Sequence, residues 1–190
     1  MELPPAPSVQ SLRLASFGER EALARILSVH IQSFELRRDY ARLVDWLRSA
    51  LELDPRSQYP LFLAARVYAE SADPARVRLA LDFVYQEFFR DPNRRWPWLA
   101  HAALIAKHRL GDLPLARRYA SAVQRYSTAP DVPLWARQME IFILEDMNEL
   151  AAAKIMLGGL LESGTIQDPA ELRFLRERLQ ELEARMAGAR

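Results

Sequence analysis

Few residues in this chain could do covalent or metal chemistry. Its 190 residues include three histidines (His30, His101 and His108) and no cysteine. Without thiols there is no disulfide, no thiol nucleophile and no Cys-bound zinc or iron–sulfur centre. His101 and His108 stand seven residues apart. On a helix that is about 10 Å of rise, too far for one metal ion without a third element between them. The histidines therefore read as satisfied or solvated side chains. The adjacent carboxylates Glu145 and Asp146 could form an acid/base pair in a cleft, but at an expected helix end they read more simply as a solvated turn. The chain has no Gly-rich phosphate loop with a lysine, no His-Glu-x-x-His and no Gly-x-Ser-x-Gly. No catalytic residue, metal or cofactor is expected, and the chain reads as a non-enzyme.

Recognition chemistry is better represented. The cations are nearly all arginine, with Lys107 and Lys154 the only lysines. A codon bias would produce this. So would selection for a planar group that binds carboxylates and phosphates through two bonds at once. The formal net charge is only +1, which speaks against wholesale nucleic-acid binding. The charge is uneven, however. From Arg90 to Arg125 the balance is +6, through Arg90, Arg94, Arg95, Lys107, Arg109, Arg117, Arg118 and Arg125 against Asp91 and Asp112. This basic middle, with Trp96 and Trp98 nearby, could dock an acidic segment or a nucleic acid. Solvated helix faces would look the same.

Helices must position these residues. Half the chain is hydrophobic, enough for a folded core. Apolar residues recur at three and four positions, as in Leu43, Val44, Leu47 and Leu51, and no alternating strand pattern stands out. Breakers at Asp54-Pro55, Asp73-Pro74, Asp91-Pro92, Gly111-Asp112, Ala129-Pro130 and Asp168-Pro169 leave segments of helical length. An Asp before Pro can cap the helix that follows. Helices are expected near Ser8–Ala15, Gly18–Arg37, Asp39–Leu53, Tyr59–Ser71, Pro74–Arg90, Trp96–Arg109, Asp112–Tyr126, Val132–Glu145, Asn148–Ser163 and Pro169–Met186. Short turns between them imply antiparallel neighbours.

The chain also repeats. Arg38–Pro55 (RDYARLVDWLRSALELDP) and Leu79–Pro92 (LALDFVYQEFFRDP) both end in an apolar helix, an acid and a proline, and the two prolines lie 37 residues apart. Leu110–Val123 (LGDLPLARRYASAV) and Met147–Leu160 (MNELAAAKIMLGGL) each place a polar turn before an Ala-rich helix. Small residues at Ala50, Ala65, Ala80, Ala102, Ala116 and Ala152 alternate with large ones at Leu61, Tyr68, Trp98, Ile105, Trp135 and Phe142. On these residues the chain resembles the tetratricopeptide repeat (TPR) family, whose unit is two antiparallel helices of about 34 residues. The segment Trp96–Asp131 is similar to a group of uncharacterised bacterial TPR proteins.

The resemblance implies an all-α, right-handed solenoid of three to four helix pairs. Its units would be about 24–57, 58–94, 95–130 and 131–163, with an N-terminal helical extension at 1–23 and a C-terminal capping helix at 164–190. The last helix carries the stripe Leu172, Leu175, Leu179, Leu182 and Met186, which could cap the stack or pair with a second copy as a coiled coil.

For function, the resemblance implies a non-catalytic scaffold or adaptor that holds a partner peptide or helix in the concave groove, in a bacterial multiprotein assembly. Family positions carried onto this sequence select Arg25, Ser28 and Gln32, then Tyr59, Phe62 and Arg66, then Trp96, Leu99 and Ala103, then Pro133, Ala136 and Glu140. Arg25, Gln32, Tyr59, Phe62, Arg66, Trp96 and Leu99 form the candidate groove. Arg90, Arg94, Arg95, Arg117 and Arg118 form the alternative basic patch. The family's carboxylate clamp is missing, since Ser28, Gln32, Leu63, Trp96 and Ala100 stand in its places, so a chaperone-tail adaptor is not expected. No segment is apolar enough to span a bilayer, and Met1–Ser8 lacks signal-peptide features. A cytoplasmic protein is expected. The alternative is the extracytoplasmic face of the envelope, reached through an N-terminal anchor such as the group often carries, or peripheral attachment through a partner.

Overall fold

A computed structural model describes residues 5–33 and 39–188, with backbone alone for 28–33. Among the described residues the chain is helical, without strands. The helices are α1 (Val9–Ala15), α2 (Arg20–Ser33), α3 (Tyr40–Leu53), α4 (Tyr59–Phe62), α5 (Pro74–Phe88), α6 (Pro92–His108), α7 (Leu113–Tyr126), α8 (Leu134–Asp146), α9 (Leu150–Glu162) and α10 (Pro169–Gly188). Beyond Phe62 the chain continues through a π-helical turn, Leu63–Val67, into a 3-10 turn, Tyr68–Glu70.

Local chemistry sets most of these boundaries. Asp39, Asp73 and Asp112 accept from the backbone N–H of Arg42, Ala75 and Leu115 and so cap α3, α5 and α7. Asp168 accepts from Ala170 N–H at 2.9 Å at the start of α10. Gly111 (φ 61°) and Asn148 (φ 60°) both take the left-handed conformation after a helix. There Asp112 N–H donates to the Ala106 carbonyl at 2.9 Å, and Glu149 N–H to the Leu144 carbonyl at 2.8 Å. Both polar turns close their helices through a left-handed residue, the second with the five-residue spacing of a Schellman motif and the first with a bond one residue wider.

Some boundaries differ from expectation. The helix expected over Tyr59–Ser71 is α-helical only as far as Phe62, and the helix end expected at Arg37 lies outside the described residues. The helix expected from Trp96 begins at Pro92, and Pro97 lies inside it. Pro97 is exposed, so the carbonyl it leaves without an N–H partner faces water rather than core.

Consecutive helices pack together, and alternate ones touch across them. The pairs α2–α3, α5–α6, α6–α7, α7–α8, α8–α9 and α9–α10 are in contact, as are α3–α5 and α4–α6. Burial repeats with this packing. Leu43, Trp46, Leu47 and Ala50 in α3 are buried, as are Ala80, Phe83, Val84 and Glu87 in α5, and Ala116, Tyr119, Ala120 and Val123 in α7. The same spacing of buried positions therefore recurs in three alternate helices. One apolar core runs from α1 to α8 and a smaller one joins α8, α9 and α10. Helix α8 serves both, with Ala136, Met139 and Ile143 in the first and Ile141 and Leu144 in the second.

The last helix docks on its own chain. Leu175 and Leu182 are buried in the smaller core. Glu145, itself buried, receives hydrogen bonds from Arg178 and Arg185, and Gln138 donates to Glu171 at 2.9 Å.

Candidate functional site

The candidate groove residues divide by depth. Tyr59 and Phe62 are more than one-third exposed on α4, with ring centroids 5.9 Å apart and nearly parallel planes. Phe62 meets Trp98 of α6 edge-on at 5.8 Å. Trp98 is held by its indole N–H, which donates to Gln58 Oε1 at 2.6 Å. Trp96 is half-buried and meets Trp135 of α8 edge-on at 5.5 Å. Phe142 of α8 and Phe174 of α10 lie 6.4 Å apart. Ring contacts therefore link α4 to α6, α6 to α8 and α8 to α10, a run of amphipathic surface of the kind that dominates binding hot spots.

Arg66 sits in the π-helical turn, exposed and without an ion pair among the described residues. Such a turn inside a helix often marks a functional site. Arg25 is exposed on α2. The side chain of Gln32 lies outside the described residues, as does that of Ser28.

Leu99 is a correction: it is 0% exposed and belongs to the core, as do Ala103, Ala136 and Glu140. In α6 the buried stripe is Arg95, Leu99, Ala102, Ala103 and Ala106, while Pro97, Leu104 and His108 are exposed. Each residue turns a helix by about 100°, so a one-residue error in register exchanges a groove position for a core position. In α4 and the π-helical and 3-10 turns after it, Leu61, Ala64, Ala65 and Tyr68 are buried, and Tyr59, Phe62 and Arg66 are exposed. The spacing missed Leu104 and Trp135, exposed apolar side chains on the same helices. Apolar character alone pointed them inward.

No family model, curated protein or solved structure matches the chain.

The basic patch is also corrected. Arg95 is 2% exposed. It donates to the Glu87 carbonyl at 2.5 Å, to Glu87 Oε2 at 3.2 Å and to the Pro55 carbonyl at 2.9 Å. Arg90 pairs with Glu52 and Glu87, Arg94 with Asp91, and Arg117 with Glu140. Lys107 and Arg109 are taken by Asp146 and Glu70. Of the five patch arginines, Arg118 alone forms no ion pair among the described residues; its guanidinium lies 4.3 Å from the Tyr85 ring centroid. A sequence segment of charge +6 thus presents mostly neutralised pairs, because its acidic partners come from elsewhere in the chain. That removes the main support for phosphate binding here.

Among the described residues no three His, Asp or Glu side chains gather where they could hold a metal ion, and no helix is long and apolar enough to cross a membrane.

His101 is on α6, near Arg66 and Glu70 of the turns that follow α4. Its Nε2 is buried without a hydrogen-bond partner. Burial first, and the nearby Arg66 second, push its pKa below the ordinary histidine value, with Glu70 opposing. The unfolded chain therefore binds this proton more readily than the folded one. Stability from a neutral His101 is complete above the unfolded pKa, about 6.5, and falls as pH drops below it. The melting temperature should fall on acidification from pH about 7 to about 5.5, and His101→Gln should flatten that part of the curve. Equal slopes in both proteins would rule His101 out as the source.

Proposed function

We propose that this chain is a TPR-like helix-pair repeat whose work is to hold a partner protein, as a non-catalytic scaffold or adaptor. The observation that carries the reading is the face of α4 and the turn after it, where the stacked, exposed Tyr59 and Phe62 are followed by the exposed Arg66, which forms no ion pair among the described residues. Aromatic faces exposed together with an unpaired guanidinium suit a peptide or helix with apolar and acidic side chains. The packing of alternate helices and the recurring buried positions in α3, α5 and α7 support the repeat reading. As fold-level support, they bear on function only through the face they build.

The test is affinity capture from the native host with quantitative mass spectrometry, using wild type, Phe62→Ala and Arg66→Glu. Each substitution should reduce recovery of the main partner by about tenfold. Melting temperature should hardly move for Arg66→Glu, and Phe62→Ala, which gives up ring contacts with Tyr59 and Trp98, should lower it by about 2–4 °C while the protein stays folded. Undiminished recovery with both variants would overturn the assignment of this face.

A further inference from the structure

The seams between alternate helices are built differently. Where α3 meets α5, the Arg48 guanidinium lies 6.0 Å from the Phe83 ring and donates to Gln86 at 3.1 Å, and Glu52 pairs with Arg90. The matching positions of the next seam, α5 against α7, follow from the shared buried stripe. Tyr85 replaces Arg48, Tyr119 replaces Phe83, Phe89 replaces Glu52 and Tyr126 replaces Arg90. These rings meet in the same pairs, Tyr85 with Tyr119 at 5.2 Å and Phe89 with Tyr126 at 5.3 Å. Where the first seam is closed by charged groups, the second is an aromatic trough. Leu79, Phe89 and Tyr126 are each more than 40% exposed. At one end of the trough a groove of about 510 Å³ is lined by Ala75, Arg78, Leu79, Asp82, Leu115 and Tyr119.

The chain itself lays an extended segment on the equivalent face of α3. Residues 5–9, Pro-Ala-Pro-Ser-Val, lie beside Arg42, Asp45, Arg48, Ser49 and Glu52 on the outer face of α3. Ser8 there is the N-cap of α1 and is extended, with φ −61° and ψ 148°. The equivalent positions on α5 are Leu79, Asp82, Tyr85, Gln86 and Phe89. No described segment covers them, and three of the five change from charged to apolar or aromatic. Polyproline II segments dock on ridges of exposed aromatic rings, because they are extended before binding and lose little freedom. Arg118 and Arg125 are exposed and form no ion pair among the described residues; Arg118 lies 4.3 Å from the Tyr85 ring centroid, and Asp82, which accepts from the Gln86 amide at 2.6 Å, is the acid that faces it.

We propose that the α5–α7 seam binds an extended, proline-rich segment of a partner protein, with acidic residues of that segment facing Arg118 and Arg125. It is a second recognition surface, on the other layer of helices from Tyr59, Phe62 and Arg66.

The experiment uses the full chain and a fluorescein-labelled peptide of repeated Glu-Pro-Pro-Ala-Pro units, read by fluorescence anisotropy. Wild type should bind it saturably. The double variant Phe89→Ser with Tyr126→Ser, and separately Arg118→Glu, should bind about tenfold more weakly, while keeping the wild-type circular dichroism spectrum. Phe62→Ala should bind as wild type does, which separates this seam from the α4 face. Equal binding of a peptide with every proline replaced by alanine would overturn the proposal. So would the absence of saturable binding, or undiminished binding by the double variant. A wild-type dimer in sedimentation equilibrium that the double variant abolishes would assign the trough to a second copy and overturn it too.

Discussion

Arg95→Ala should lower the melting temperature by on the order of 10 °C. Arg95 stands near the start of α6 with 2% exposure, beside the equally buried Glu87. One guanidinium nitrogen donates to both the backbone carbonyl and the carboxylate of Glu87, and the other to the Pro55 carbonyl after α3. Arg95 thus ties the C-terminal ends of α3 and α5 to the first turns of α6. Removing one partner of a buried pair costs about 3–5 kcal/mol, because the remaining charge and the orphaned acceptors stay in low dielectric. Two other cations near Glu87, Arg48 at 3.7 Å and Arg90 at 3.4 Å, leave its charge partly compensated, which favours the lower end of that range. For a protein of this size each kcal/mol moves the melting temperature by about 2–4 °C. Arg95→Lys keeps the charge but loses the planar fork that reaches two carbonyls, so it should fall between wild type and Arg95→Ala. Scanning calorimetry gives the answer. A shift under about 2 °C for Arg95→Ala would mean that this pair does not tie the helix ends together.

Leu175→Ala combined with Leu182→Ala should release α10 while leaving the middle of the protein folded. Both leucines are essentially fully buried, one heptad apart on the face that meets α8 and α9. Each truncation removes about 2–5 kcal/mol. The other large side chains buried in this small core are Ile141, Leu144, Leu157 and Ile166, and the rest of its apolar residues, such as Leu150, Met156, Leu172 and Leu179, are only partly buried. The polar ties from Arg178 and Arg185 to Glu145 are one-third to one-half exposed on the arginine side, and they contribute too little to hold the helix alone. In hydrogen exchange, amides across α10 should lose protection, while those of α6 and α7 in the larger core keep theirs. Uncovered apolar surface on α8 and α9 should also promote self-association. Retained protection across α10, or its loss throughout the protein, would contradict the separation into two cores.

This second case shows how far the sequence of α10 reaches. The stripe Leu172, Leu175, Leu179, Leu182 and Met186 is readable as an apolar helix face. The same face would serve an intramolecular cap or a coiled coil, since period alone does not name the surface that covers it. The chain's own α8 and α9 cover it, through apolar packing and the buried Glu145. The Arg90–Arg125 segment behaves alike. Its cations are countable from sequence, but the acids that neutralise them, Glu52, Glu70, Glu140 and Asp146, are distant along the chain or lie beyond the segment.

The sequence by itself determined what is local. Helical periodicity, Asp caps before or near Pro, and left-handed turns at Gly111 and Asn148 each depend on a few neighbouring residues. The all-α class and many helix boundaries could therefore be read before the fold was known. The π-helical and 3-10 turns that follow Phe62 could not, because nothing in the local spacing marks them. Tertiary structure decided the rotation of each helix about its own axis. In α6 a chain of small apolar residues, Ala100, Ala102, Ala103 and Ala106, gives several rotations nearly equal local cost. Packing against α5 and α7 selects the one that buries Leu99 and Arg95 and leaves Leu104 in solvent. Packing also made an aromatic trough of Tyr85, Phe89, Tyr119 and Tyr126, which lie on two helices and become neighbours only when α5 and α7 are brought side by side.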